Sequence, residues 1–592
     1  MGVKLRAVGL DEALEGVLVA PLSRFEASSI VHGGGGVSGA HCRQVRLPAV
    51  TVARRLSRAL TAAFIAALVC AGPASANGAA SCTRLPAPTG AVIDVSPAQA
   101  GQLANIVADA PAGATIRLAD GTYPVGTITV RNPGVTLRSA SGDPSRVVLD
   151  AAYGPSALIQ PFANDVTVAE LTLSRARDHL VHAYPAAAGP DLRGLLLYRV
   201  RMVDSGEQFL KVNTNEARSA WVDSGTVACS HFLMTPGGRE NIERAFGCYT
   251  GGIDVHSGRG WRVRDSLFEG IYCEDGELAE HAIHFWKGAR GTLVENNVII
   301  DCARAIGFGL GDSGDARPYP DDPYPGVGYI GHFDGVIRGN AVLADIPQYD
   351  TGIELAQARG TRVLHNTLVE TAAATGSFSS LDYRWANTRV ELTNNLTRRI
   401  TTRDGGEAVL SHNVESTPQD WLVDPLRGDF HLRPGQNGAQ DRGVGVAEAG
   451  LDIDGRARDH GAAPDIGADE WSPADPSANP EAGGPRQARL RLKLAGVRRV
   501  RGRYITRRGH AIRVTGTLTP YVARQKFTVS FRRGRRVRRV SVRTKRFERS
   551  RKGGFVVAHK PRRRGWVTIR AGHRRSAALD SVRSRRLRVL VR

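Results

Sequence analysis

Four stretches carry one short phrase: GTLVENNVII at 291–300, DGVIRGNAVLA at 334–344, GTRVLHNTLVE at 360–370 and TRVELTNNLTR at 388–398. In each, β-branched or Leu residues alternate, an Asn ends the strand, and another apolar pair follows. The asparagines are Asn297, Asn340, Asn366 and Asn395, with Asn413 in VLSHNV a fifth, shorter copy. Their separations are 43, 26, 29 and 18 residues. Strand units recurring at roughly 20–30 residues, with insertions between them, mark a stacked β-solenoid. A stacked Asn at each turn satisfies buried backbone groups, which makes these residues structural.

Working outward, Ser96-Pro97 reads as an N-cap with Pro at the first helical position. It opens a short helix with Leu103, Ile106, Val107 and Ala110 on one side. Such a helix would cover the open edge of the first coil. ATIRLADGTYPVGTITV and GVTLRSASG then read as strands joined by Gly and Asp turns. Coils continue through NDVTVAELTL and GLLLYRVRMV and pass a loop-rich insertion at about 213–251. The main repeats run to about Ser416.

The 592 residues carry a net charge of +22, which hides two opposed halves. Residues 485–592 hold 37 Lys+Arg against 2 Asp+Glu, a net of +35, and residues 1–484 sum to −13. Arg54, Arg55 and Arg58 precede an apolar run from Ala59 to Ala71 and then Pro73-Ala74-Ser75-Ala76, the pattern of a signal peptide cleaved after Ala76. The run is too short to span a membrane. Translation is expected to begin at Val50 or Val52, ahead of that segment. The expected organisation is an extension at 1–49, a signal peptide at 50–76, a solenoid at 77–416, a closing cap at 417–471, a linker at 472–484 and a basic antiparallel β-sandwich at 485–592. In an exported chain the remaining cysteines default to disulfides. Cys229–Cys248 would close the insertion and Cys273–Cys302 would staple two coils, leaving Cys82 over. CxxC, HExxH and GxxxxGK[ST] patterns are all missing, so zinc-protease and P-loop readings have no support.

The segment from ATIRLADGTY to GVTLRSASGDPSRVVLD resembles the first coils of pectate-lyase-like, right-handed parallel β-helix proteins. GGIDVHSGRGWRVRDSLFEGI, HAIHFWKGARGTLVENNVIIDCARAIGFG and DIDGRARDHGAAPDIGADEW resemble exported bacterial β-helix proteins of unassigned activity, over roughly 85–471. The tail resembles Arg-rich Ig-like modules. The resemblance implies an all-β, right-handed solenoid followed by a small sandwich. It leaves the reaction open, because this fold hosts lyases, hydrolases, epimerases and adhesins.

Residues two apart on a strand share a face. The rule exposes Lys211 and Asn213 in FLKVN, Asp254 and His256 in GIDVH, and His284 and Trp286 in AIHFW. It also exposes Gly307 and Gly309 in AIGFG and Glu354 in GIELA. If these strands stack about 4.8 Å apart, their outer side chains form one stripe. Lys211, Asp254, His256 and His284 are the candidate catalytic groups. Asn213, Trp286, Arg304, Tyr319, Tyr324 and Glu354 are the candidate substrate contacts. Trp286 would offer a flat face and an N–H to a sugar, the glycines a bare shelf, and the insertion carrying Tyr319 and Tyr324 a wall. Lys287 and Arg290 read as solvated turn residues.

A uronate-containing polysaccharide fits the stripe. In β-elimination Lys211 or His256 would take the C5 proton, while Arg304, or Ca²⁺ on Asp254 and Glu354, would neutralise the carboxylate. Hydrolysis by paired carboxylates and non-catalytic glycan adhesion are the competing readings. The acidic residues Asp452, Asp454, Asp465, Asp469 and Glu470 read as turn formers in the cap more than as a Ca²⁺ site. The basic tail is expected to hold the protein to anionic cell-wall polymer, with nucleic acid not expected as its partner.

Overall fold

The computed structural model describes residues 82–312, 314–436, 438–473, 489–500, 503–519, 525–534, 536–546, 553–573 and 582–592. The readings of 1–49, of 50–76 and of nearly all of the 472–484 linker lie outside these residues.

The chain from Val92 to Ser411 winds as a right-handed parallel β-helix of three long parallel sheets, with fourteen, ten and nine strands. The ten-stranded sheet positions the site. Its strands are β1 (Ile128–Val130), β2 (Ala157–Pro161), β3 (His179–Ala183), β4 (Leu210–Val212), β5 (Ile253–His256), β6 (His281–Trp286), β7 (Arg304–Phe308), β8 (Thr351–Ala356), β9 (Ser379–Arg384) and β10 (Ile400–Arg403). Alternation places the expected apolar residues of β4–β8 inward. Leu210, Val212, Ile253, Val255, Ile283, Phe285, Ile306, Phe308, Ile353 and Leu355 all lie in one continuous core.

The helix Leu103–Asp109, reached through the turn Pro97–Gln102, buries Leu103 and Val107 against the first coils. The Ser96 backbone N–H donates to Gln99 Oε1 at 3.0 Å and starts that turn. The asparagines stack at the corner between the fourteen- and nine-stranded sheets. Nδ2 of Asn297, Asn340, Asn366 and Asn395 each donates to Oδ1 of the next at 2.8–3.0 Å. Two serines extend the ladder upstream: Ser266 N–H donates to Asn297 Oδ1, and Ser230 N–H to Ser266 Oγ, both at 3.1 Å.

Three features differ from the sequence reading. Part of the supposed insertion continues the coil, since Thr226–Ala228 pairs with both Leu196–Tyr198 and Arg262–Arg264. It also contains a helix, Pro236–Phe246, capped by Thr235 and ended by Gly247 at φ +55°. The Gly237-Gly238 pair in its first turn disguised it, glycine being a poor helix former. The disulfides are Cys82–Cys229 and Cys248–Cys273, with Cys302 a buried thiol, so Cys229–Cys248 and Cys273–Cys302 do not form. The reason is the path of the N-terminal segment. Arg138 donates to the Leu85 and Pro86 carbonyls and Tyr198 to Thr83, which lays Cys82 along the strands that end at Cys229.

The third difference is the cap. Residues 417–471 pack Leu422, Phe430, Leu432 and Ile466 onto Ala341, Leu343, Val369 and Leu396, along the side of the coils. Its acidic residues serve backbone donors: Asp452 binds the Asp454 and Arg456 amides, Asp465 those of Asp441 and Trp471, and Asp469 that of Leu432. These are turn-forming carboxylates.

The basic tail builds two mostly antiparallel sheets around Ile512, Val514, Phe527, Val529, Phe531, Phe555, Ile569 and Val589. Alternation leaves its Lys and Arg outward on strands such as Lys526–Arg533 and Arg536–Arg543.

Candidate functional site

The outer residues of the ten-stranded sheet fall into one register. Lys211 pairs with Asp254, Asp254 with His284, His284 with Gly307, and Gly307 with Glu354. His256 lies beside Trp286 in the next column. The column extends both ways beyond the expected residues, to His182 beside Lys211 and to Asp382 beside Glu354. His182 was legible by the same rule, because HLVHA alternates as FLKVN does.

The centre of the stripe is a hydrogen-bonded cluster. Lys211 Nζ donates to Asp254 Oδ2 and lies 3.3 Å from His256 Nε2, which is 3.4 Å from the same Asp254 oxygen. Trp286 Nε1 donates to Asp254 Oδ1 at 2.8 Å. Asn213 Nδ2 faces His256 Nδ1 at 3.2 Å, and its Oδ1 faces His182 Nε2 at 2.9 Å. The cluster is well enclosed, with Lys211, Asp254 and His284 at 7%, 5% and 2% exposure. The half-buried rims are His182, Asn213, His256 and Trp286.

Burial alone would raise the Asp254 carboxyl, but the charge on Lys211, followed by His256 and His284, holds it well below the usual carboxylate range. Burial pulls His256 down to about 4, with Asp254 opposing and Lys211 reinforcing. The site at neutral pH therefore holds a carboxylate and a neutral imidazole.

Trp286 is not a free plate. Its ring stacks on His284 with centroids 5.5 Å apart and planes 3° apart, and Lys287 Nζ lies 4.6 Å from its centroid. Its N–H holds Asp254, so Trp286 positions the carboxylate. Lys287 also pairs with Asp315 at 3.3 Å. The glycine shelf is also filled. A Cβ on Gly307 would meet the His281 ring at 2.7 Å, and Gly309 sits at φ +77° against the Ala356 carbonyl.

Glu354 is held by its neighbours. His281 Nε2 lies 3.2 Å from Oε2, Arg304 is 3.8 Å away and Arg403 3.7 Å. These partners bring Glu354 down to about 2 in spite of burial. Arg304 thus faces Glu354 across the sheet. Tyr319 donates to the Gly288 carbonyl at 2.8 Å and Tyr324 bonds to Asp334. Both rings pack against Phe333, on the fourteen-stranded sheet, so they pin the insertion to that sheet instead of walling the stripe.

Ca²⁺ wants six to eight oxygen ligands. Asp254 is surrounded by an ammonium, two imidazoles and an indole N–H, and Glu354 by an imidazole and two guanidiniums. These donor sets do not fit Ca²⁺ at either carboxylate, and no step is drawn through it. His281 was missed because its odd parity predicts an inward position, shared with Ile283 and Phe285. At the start of β6 its ring lies instead over Gly307.

Neither a family model nor a curated protein matches the chain. Among solved structures, a polygalacturonase from Erwinia carotovora ssp. carotovora matches at 11% identity over 57% of this chain and 98% of its own, with a TM-score of 0.31. The tailspike protein of Acinetobacter baumannii phage AM24 matches at 11% identity over 79% of this chain and 72% of its own, with a TM-score of 0.21. At TM-scores this low neither likeness bears on what this chain does. What the site does must be argued from its residues.

Proposed function

We propose that the protein is an exported, carbohydrate-active β-helix protein that binds an acidic polysaccharide along the ten-stranded sheet and cleaves it by β-elimination. The observation that carries this reading is the Lys211–Asp254–His256 cluster on one outer face. The mechanism uses the tautomer protonated at Nε2, 3.4 Å from Asp254 Oδ2, in which Nδ1 is the lone-pair nitrogen and faces the Asn213 amide at 3.2 Å. A sugar that displaces this contact meets a neutral, oriented base. The base takes the C5 proton, the C–H electrons form the C4–C5 double bond, and the C4–O bond breaks toward the leaving sugar. Lys211 supplies the positive charge that stabilises the developing anion. His284 and Trp286 position Asp254, while Asn213 and His182 meet hydroxyl groups at the rim. Two disulfides agree with an oxidising compartment. The basic tail then holds the protein to anionic wall polymer.

Hydrolysis finds less support. Asp254 and Glu354 are three strand spacings apart, about 14 Å, beyond the roughly 6.5–9.5 Å of inverting enzymes. The second reading is glycan binding without cleavage, favoured by the completeness of the Lys211–Asp254–His256 bonding within the protein. The test is a panel of acidic and neutral polysaccharides followed by ultraviolet absorbance for an unsaturated product. Product from a uronate polymer supports the lyase. Binding without product selects the adhesin. Deletion from Pro485 onward is expected to abolish salt-sensitive retention on cells, and unchanged retention removes the tethering role.

A further inference from the structure

Beside the Asp254 cluster lies a second group of donors, of which the elimination uses only His284, to position Asp254. One donor atom each from Glu280, His281 and His284 lies within 4.8 Å of the other two. We propose that these three side chains bind a divalent transition-metal ion of the zinc class.

The histidines are oriented for it. His284 Nε2 lies 3.0 Å from the Gly309 carbonyl oxygen, which can only accept, so that nitrogen carries the proton. Its Nδ1 keeps the lone pair and lies 3.9 Å from Glu280 Oε2. His281 Nε2 donates to the Glu354 carboxylate at 3.2 Å, and its Nδ1 is buried with no hydrogen-bond partner. Metal-binding imidazoles characteristically give their other N–H to a carboxylate or a backbone carbonyl. Both kinds of partner occur here, one for each ring.

A second unpartnered group adjoins the cluster. Gln208 is fully buried, and neither its Oε1 nor its Nε2 has a partner. Its Cγ and the Glu280 Cβ flank bare Gly251, at 3.5 and 2.8 Å from where a Cβ on that glycine would sit. Gly307 makes the corresponding room beneath the His281 ring. The neighbouring cations are both paired, Arg304 facing Glu354 at 3.8 Å and Lys211 bonded to Asp254, which itself lies 3.9 Å from His284 Nδ1. Two imidazoles and one carboxylate suit zinc-class ions, not Ca²⁺ or Mg²⁺, and leave a position open for water or a ligand. The cap trio His431, Asp454 and Asp469 is a natural control. There His431 already faces a carboxylate oxygen with each ring nitrogen, Nδ1 with Asp429 at 2.7 Å and Nε2 with Asp454 at 3.0 Å, so neither nitrogen is unpartnered as His281 Nδ1 is.

The test uses the full chain, stripped with chelator and titrated calorimetrically with Zn²⁺, with Co²⁺ as the spectroscopic probe. One Zn²⁺ per chain is expected, not displaced by excess Ca²⁺. Glu280→Gln and His281→Ala should each weaken it at least tenfold and His431→Ala should not, with circular dichroism confirming the fold. Glu280 is partly exposed, so Glu280→Gln tests the ligand with little risk to folding. The visible Co²⁺ bands should vanish in His281→Ala. No uptake by the wild type, or uptake unchanged in both variants, overturns the proposal. Glu280 and His281 take no part in the elimination, so the two readings fail separately. Zn²⁺ uptake without cleavage of any glycan leaves the metal site standing, and cleavage by a chain that takes up no Zn²⁺ leaves only the lyase.

Discussion

The asparagine ladder and the charged stripe are both columns of polar side chains running across the coils, yet they differ in kind. In the ladder each coil contributes the same residue, fully buried at Asn297, Asn340, Asn366 and Asn395, and each makes the same bonds to its neighbours. In the stripe no two adjacent coils contribute the same residue: His182, Lys211, Asp254, His284, Gly307, Glu354 and Asp382. Uniform repetition solves one backbone problem many times and belongs to the scaffold. A column that breaks the repeat while keeping its register is where separate chemical groups have been brought together.

The comparison is tested most severely at Lys211. Lys211→Ala leaves Asp254 as a buried carboxylate without its cation and should cost about 3–5 kcal/mol. Lys211→Met combined with Asp254→Leu should recover most of that stability in chemical denaturation but no activity. If the double variant stays active, the stripe is scaffold too.

At the ladder, Asn366→Ala removes donors to the Ile337 and Leu364 carbonyls and the acceptor of the Asn340 amide. The expected loss is about 3 kcal/mol, with activity per folded molecule unchanged. Gly307→Ala presses on the His281 ring and should cost about 1–3 kcal/mol by overpacking. A neutral substitution there would mean that the ring does not occupy the shelf.

The pH response should belong to the stripe and to other buried imidazoles, because the ladder has nothing to titrate. Unfolded histidine takes a proton near 6.5, whereas folded His256 and His281 do so only at about 4 and 3. Stability is then complete above pH 6.5 and declines as pH falls toward those values, by about 2 kcal/mol per such group between pH 6.5 and 5. The depressed carboxyls of Asp254 and Glu354 add a further loss below about pH 4.5. His281→Asn should shrink the fall in Tm between pH 7 and pH 5, and an unchanged fall would place the titration elsewhere.

Much of this was legible in the sequence because side-chain parity on a strand is exactly two residues and the repeats set the register. The pairing of Lys211, Asp254, His284 and Glu354 follows from that alone. Parity fails where a strand begins or ends, so the rule that places Ile283 and Phe285 inward cannot find His281. It also cannot show how a ring is turned: the platform expected of Trp286 is taken up by stacking on His284 of the same strand and by the N–H bond to Asp254 of the neighbouring coil. The disulfides were misread because Cys82 reaches Cys229 only through the path of residues 83–86 along the sheet. The helix Pro236–Phe246 was hidden by two glycines whose weak propensity is overridden by the Thr235 cap and the packing of Ile242.

The central claim is that chemistry resides in the column that breaks the repeat. Its most direct test compares the rate of unsaturated-product formation, per folded molecule, for the wild type, His256→Gln and Asn366→Ala on the polysaccharide that the panel selects. The account predicts a fall of about 10²–10⁴-fold for His256→Gln and an unchanged rate for Asn366→Ala. Equal rates for the wild type and His256→Gln would contradict it.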